Sequence, residues 1–167
     1  MKRLVVLLGF SLMTASWVQA QSKPVPPVGV QGVWRVTEIT TTGPGGTTSR
    51  QSQPGLMILT GSHFSIVRVN SEKPRPSLSA AEESKASTAE LLAVYGNAFT
   101  AMAGTYELTG DRLTTRAMVA TRNGPMSPGS FQTFSFALDG STLVLTNVET
   151  NQGPVANPTT WKLVRLE

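Results

Sequence analysis

Apolar and polar residues alternate with a period of two along short runs of this chain, each bounded by glycine, proline, asparagine or serine. Alternation of this kind, in runs rich in Thr, Val, Leu and Phe, predicts half-buried β-strands. Eight such segments are found: Val33–Thr41, Gly55–Thr60, His63–Asn70, Gly104–Thr109, Arg112–Thr121, Phe131–Leu138, Ser141–Val148 and Thr160–Leu166. Only Ser79–Phe99 departs from the pattern. It is rich in Ala and Glu and spaces Ala89, Leu92 and Phe99 for one face, which predicts a helix between the third and fourth strands. Ahead of the first strand, Gln21–Gln31 is rich in Pro, Val and Gly and reads as an extended N-terminal arm.

The connections are of two kinds. Thr60-Gly61-Ser62-His63, Thr109-Gly110-Asp111-Arg112 and Leu138-Asp139-Gly140-Ser141 carry the chemistry of tight hairpins. The others, 42–54, 71–103, 122–130 and 149–159, are long and rich in Gly, Pro, Asn and Ser. Short and long connections alternate, so an up-and-down antiparallel sheet gathers the tight turns at one end and the long loops at the other. Closing the last strand on the first removes both free edges. The expected fold is therefore all-β, an eight-stranded antiparallel barrel over residues 32–167. It is shut at the tight-turn end and open at the other, with the Ser79–Phe99 helix available as a lid.

Pairing across each turn assigns side chains to faces. Pairing Leu138 with Ser141 groups Phe134, Phe136, Leu138, Leu143 and Leu145 inside. Pairing Thr109 with Arg112 groups Tyr106, Leu108, Leu113, Thr115, Ala117 and Val119 inside and sends Arg116 to water. Both faces of the hairpin at Gly61 are apolar, and bulk favours Met57, Leu59, Phe64, Ile66 and Arg68 as the inner set. Arg68 then either faces into the open end or reaches past it to solvent. If Trp34 faces in, parity carries Val36 and Glu38 with it, as it carries Trp161 and Leu163 with Arg165.

Composition narrows the function classes. Residues 1–20, "MKRLVVLLGFSLMTASWVQA", join Lys2 and Arg3, an apolar run and a small-residue Val18-x-Ala20 site, as in an export signal peptide. That run is too short for the roughly 20 apolar residues of a membrane span, and no later segment is a candidate. The mature chain is expected outside the cytoplasm, without an integral membrane segment. Removing Lys2 and Arg3 lowers the net charge from +4 to about +2, weak attraction for a polyanion. With no stripe of basic residues and exposed aromatics, nucleic acid is not an expected partner. One His and no Cys leave no metal-ligand cluster and no disulfide, and no cofactor motif is present. His63 flanks a hairpin turn at the closed end, away from any site. The "GPGG" run at Gly43–Gly46 reads as a rim loop, and "KPRP" at Lys73–Pro76 as a Pro-stiffened connector.

Gly32-x-Trp34 at the head of the first strand of an export-targeted barrel resembles the lipocalins. In that family the Trp plugs the closed end under an Arg from late in the chain, which here implies Arg165 over Trp34. The segments "QPGLMILTGSHFSIVRV", "AGTYELTGDRLT" and "FSFALDGSTLVLT" are similar to those of bacterial lipocalin-like domain proteins, and the resemblance covers Gly32 to Glu167. It implies a protein that binds a small, largely hydrophobic molecule in its barrel. The expected calyx is lined by Phe64, Ile66, Tyr106, Phe134 and Trp161, with Glu38 and Arg68 orienting the polar end of the ligand. Three readings stand at this point: a ligand-binding barrel, a barrel enzyme with Glu38 as acid/base and Arg68 or Tyr106 stabilising charge, and a solid barrel whose loops bind protein.

Overall fold

Period-two alternation is expressed as ten strands in a computed structural model that describes residues 29–50, 54–70, 73–74, 76–96 and 99–167. The signal-peptide reading of 1–20, and 21–28 of the arm, lie outside the described residues. The strands are β1 (Gly32–Thr41), β2 (Thr47–Ser49), β3 (Gly55–Thr60), β4 (His63–Val69), β5 (Phe99–Thr109), β6 (Arg112–Ala120), β7 (Gln132–Asp139), β8 (Thr142–Thr150), β9 (Gly153–Pro154) and β10 (Thr159–Arg165). All pairings are antiparallel. β1, β3, β4, β5, β6, β7, β8 and β10 follow one another around a barrel that closes where β10 pairs both β8 and β1. The short β2 and β9 extend β1 and β8.

All three tight hairpins have one geometry. Gly61, Gly110 and Gly140 occupy the first central position at φ 53°, 60° and 54°, and among the described residues no non-Gly residue has positive φ. That is the requirement of a type II′ turn. The third turn differs from the expected one, because Asp139 pairs with Thr142 and Leu138 with Leu143, leaving Gly140-Ser141 at the centre. The shift is even, so every residue keeps its expected face.

The expected single helix is two short ones, lying after β4: α1 (Ala80–Glu83) and α2 (Thr88–Tyr95). Each opens on a capping box, Ser79 with Glu82 and Ser87 with Glu90, and the second serine breaks the run in the middle. Their anchoring residue is Val94, which is buried, whereas Leu92 is 59% exposed. Phe99 belongs to β5 rather than to the helix.

At the closed end the last residues of the N-terminal arm are not extended. Gly29 and Val30 form a turn, with Val30 buried. The Val30 carbonyl accepts from Trp34 Nε1 at 2.9 Å. Above this floor the core holds Trp34, Val36, Met57, Leu59, Phe64, Ile66, Tyr106, Leu113, Phe134, Leu143, Leu145 and Leu163, all buried. Leu108 and Leu138, expected inside, are 47% and 37% exposed because they sit beside the turns where the barrel ends.

Three β-bulges lie towards the open half: at Thr37 in β1, Met118 in β6 and Val148 in β8. Each inserts one unpaired residue and reverses the facing of the residues beyond it. Val119, expected inside, is therefore turned out and 60% exposed.

Candidate ligand-binding site

A cavity of about 360 Å³ lies at the open end of the barrel. Its walls are Met102 of β5, Thr115 and Ala117 of β6, Phe131 and Gln132 at the start of β7, and Thr150 at the end of β8, with the 124–130 loop and the β8–β9 turn as rim. Sequence spacing builds this wall directly. Thr115 and Ala117 share the inner face of β6, and the Met118 bulge comes after them. The Val148 bulge re-aims β8 so that Thr150, not Glu149, stands opposite Gln132 on the inner side. Thr115 Oγ1 donates to the Gln132 carbonyl at 3.2 Å, tying two wall strands together. From outside, Arg116 backs the Phe131 ring, with Cζ 5.6 Å from its centroid.

None of the seven residues expected to contact ligand is among these wall residues. Phe64 and Ile66 belong to the packed core below. Tyr106 is the strand partner of the wall residue Thr115, and Phe134 lies two residues from the wall residue Gln132, towards the closed end on the same face of β7. Trp161 lies 5.6 Å from Phe134, ring to ring, and the Arg68 guanidinium carbon is 5.3 Å from the Trp161 ring. Arg68, Trp161 and Phe134 thus form a layer across the barrel, between the core and the mouth.

Glu38 is a correction. The Thr37 bulge breaks the parity that would have carried it inward, so Glu38 stands opposite exposed Lys162 on the outer face while Ile39 packs against the core. Its carboxylate accepts from Arg50 Nε at 2.9 Å, an exposed pair outside the barrel. It takes no part in the interior, and the acid/base reading that depended on it is withdrawn.

Polar atoms in the layer are short of partners. Arg68 Nε, Tyr106 Oη, Trp161 Nε1 and Asn147 Oδ1 are buried and make no hydrogen bond. Leaving such an atom unsatisfied costs about 1–3 kcal/mol, so a cluster of them is a property of a site rather than of a finished core. Burial lowers the Arg68 guanidinium from its ordinary value and raises the Tyr106 phenol, both by desolvation. Arg68 stays protonated regardless. No carboxylate among the described residues pairs with it.

At the opposite end the geometry is closed. Arg165 lies over Trp34 with Cζ 4.1 Å from the ring centroid, its Nη1 donating to the Gln31 carbonyl and its Nη2 to that of Gly29 at 2.8 Å. Gly32 has φ 140°, and a Cβ there would fall 2.4 Å from the Glu167 carbonyl oxygen and 2.5 Å from Arg165 Nη1. This close approach is what the Gly of Gly-x-Trp provides.

A family model described as a lipocalin-like domain matches residues 31–164. The chain belongs to the lipocalin-like domain family. Among curated proteins, none matches it. As a lipocalin-like barrel it has the architecture of a ligand-binding fold. Among its described residues there is no cluster of metal-ligating side chains, and no helix is long and apolar enough to cross a membrane.

The wall residues that sequence reasoning missed had partial signals. The inner parity of Thr115 and Ala117 was readable from the Gly110 hairpin, and the Arg122–Ser130 loop was assigned to the open end. Gln132 shares the inner parity of Phe134 and Phe136, whereas Thr150 faces in only because of the Val148 bulge, which leaves no mark in composition.

Proposed function

We propose that this lipocalin-like domain is exported and binds a small, largely hydrophobic molecule at the open end of its barrel. The observation that carries the reading is the cavity of about 360 Å³, within the roughly 300–1,000 Å³ of ordinary ligand sites. Met102, Pro125, Phe131 and Ala117 supply apolar wall, and Thr115, Gln132 and Thr150 supply a few oriented polar groups. We take the layer of Arg68, Phe134 and Trp161, together with Tyr106 beside the wall residue Thr115, as its floor, with Phe64 and Ile66 bracing that floor from the core. Export rests on the basic, apolar and small-residue succession of the first twenty residues. Export would place the barrel where a diffusing apolar molecule needs a carrier.

Native mass spectrometry of the protein recovered from the separated cytoplasmic and extracytoplasmic fractions of its own host tests both halves. The expected species begins at Gln21 and carries a non-covalent adduct that is lost on denaturation. A chain still beginning at Met1 would contradict export. An adduct-free chain that also fails to take up apolar probes would contradict binding.

A further inference from the structure

We propose that the ligand carries a carboxylate, and that this group is seated at the base of the mouth by Arg68, with Trp161 Nε1 and Tyr106 Oη as further donors. The inference rests on the reading of the open end as a binding site and names the chemistry of its floor.

The floor's polar groups are of one kind. Arg68 Nε and Trp161 Nε1 can only donate, and Tyr106 Oη donates readily; all three are buried without an acceptor. Tyr106 itself is 4% exposed, so its hydroxyl is shielded from bulk solvent. Asn147 Oδ1, also unpartnered, is an acceptor whose amide brings two donors beside it. Three unpartnered donors against one unpartnered acceptor call for an acceptor-rich guest.

Charge narrows the guest further. Arg68 is, among the described residues, the charged side chain facing in at this level, since Glu38 is outside and Lys162 and Glu149 are exposed. One unpaired cation in a partly desolvated site is matched by one negative charge. A planar carboxylate suits the guanidinium fork and leaves an oxygen for a second donor. A dianionic phosphate would bring more charge than the floor can neutralise.

Position completes the assignment. Tyr106 is the strand partner of Thr115, a wall residue, and Phe134 is two residues from Gln132, another. The Arg68 and Trp161 pair, at 5.3 Å, continues from Phe134 at 5.6 Å. A molecule entering with its carboxylate first meets the donors while its apolar body remains against Met102, Ala117 and Phe131.

The test compares 4-phenylbutyrate with 4-phenylbutyramide, which has a similar shape and no charge, by calorimetry on the full mature protein at neutral pH. Neutral N-phenyl-1-naphthylamine serves as a parallel apolar probe. The acid is expected to bind at least about tenfold tighter than the amide, the worth of one charge-assisted contact. Arg68→Met should remove that preference, and Arg68→Lys should restore part of it. Equal binding of acid and amide, or an acid preference that survives Arg68→Met, overturns the carboxylate assignment. Should Arg68→Met fail to fold, the acid-to-amide ratio in the unaltered protein and in Arg68→Lys still decides. Uptake of the naphthylamine without preference for the acid sinks this assignment alone. Failure of all three probes sinks the binding reading with it.

Discussion

Trp34 shows how much of this fold hangs on single side chains at the closed end. Its ring is fully buried, its Nε1 donates to Val30, and Arg165 covers its face. Truncation would remove the floor of the core and leave a guanidinium over a void. Trp34→Ala should therefore cost about 3–5 kcal/mol, as large aromatic deletions do, read from the urea unfolding midpoint; an unchanged midpoint would refute the plug. Tyr106 makes a prediction of opposite polarity in pH. Burial raises its phenol above the ordinary value of 10.0, so the unfolded chain ionises first as pH climbs. Stability contributed by the neutral phenol is complete below about pH 10 and is lost as pH rises through the higher folded value. Melting temperature should fall more steeply above about pH 10 in the unaltered protein than in Tyr106→Phe. Parallel slopes would show that the phenol is not desolvated.

At the scale of elements, the decisive features are the bulges and the caps. Gly104 stands where the Met118 bulge presses the Arg116 carbonyl against β5, and a Cβ there would lie 2.0 Å from that oxygen. Gly104→Ala should destabilise the barrel by about 1–3 kcal/mol, measured by chemical denaturation; a neutral result would mean that the bulge yields easily. In the helical stretch, Glu90 is held below its ordinary carboxyl value by hydrogen bonds from Ser87, and Glu82 by those from Ser79. Their contribution is present above the normal glutamate range and is lost as pH falls through the lowered values. Ser87→Ala should speed amide exchange across Thr88–Tyr95 and leave the strands untouched, whereas unchanged exchange would show the cap to be idle. These elements also show what a sequence can disclose. Hairpin glycines and alternation reveal strand order, closure and the inner face of the lower half, because a type II′ turn and a period of two are local chemistry. A bulge depends on how neighbouring strands coil around the barrel, and Thr37 has no local reason to be unpaired. Parity carried past it therefore sent Glu38 to the wrong side. The same blindness hid Thr150 from the set of site residues, while Arg68, lying before any bulge in its hairpin, keeps its inner facing.

On the scale of the whole molecule, the barrel divides into a sealed end that provides stability and an open end that is left unfinished. The sealed end satisfies its polar groups: the Gln31 and Gly29 carbonyls meet Arg165, and the Glu167 carbonyl accepts from Val33 at 3.1 Å. The open half leaves buried donors unpartnered and carries a cavity at its mouth. Stabilisation concentrated at one end allows the other to carry unsatisfied polar groups, the usual compromise of a binding site. The central claim, that the mouth is where a ligand enters, is tested most directly by titrating N-phenyl-1-naphthylamine into three proteins: the unaltered chain, Ala117→Phe and Val119→Phe. Ala117 lines the cavity, and Val119, two residues on, faces water. Saturable fluorescence enhancement in the unaltered protein and in Val119→Phe, weakened at least about tenfold in a folded Ala117→Phe, is the predicted result. Equal enhancement in all three, or none in the unaltered protein, would contradict the assignment of the open end as the binding site.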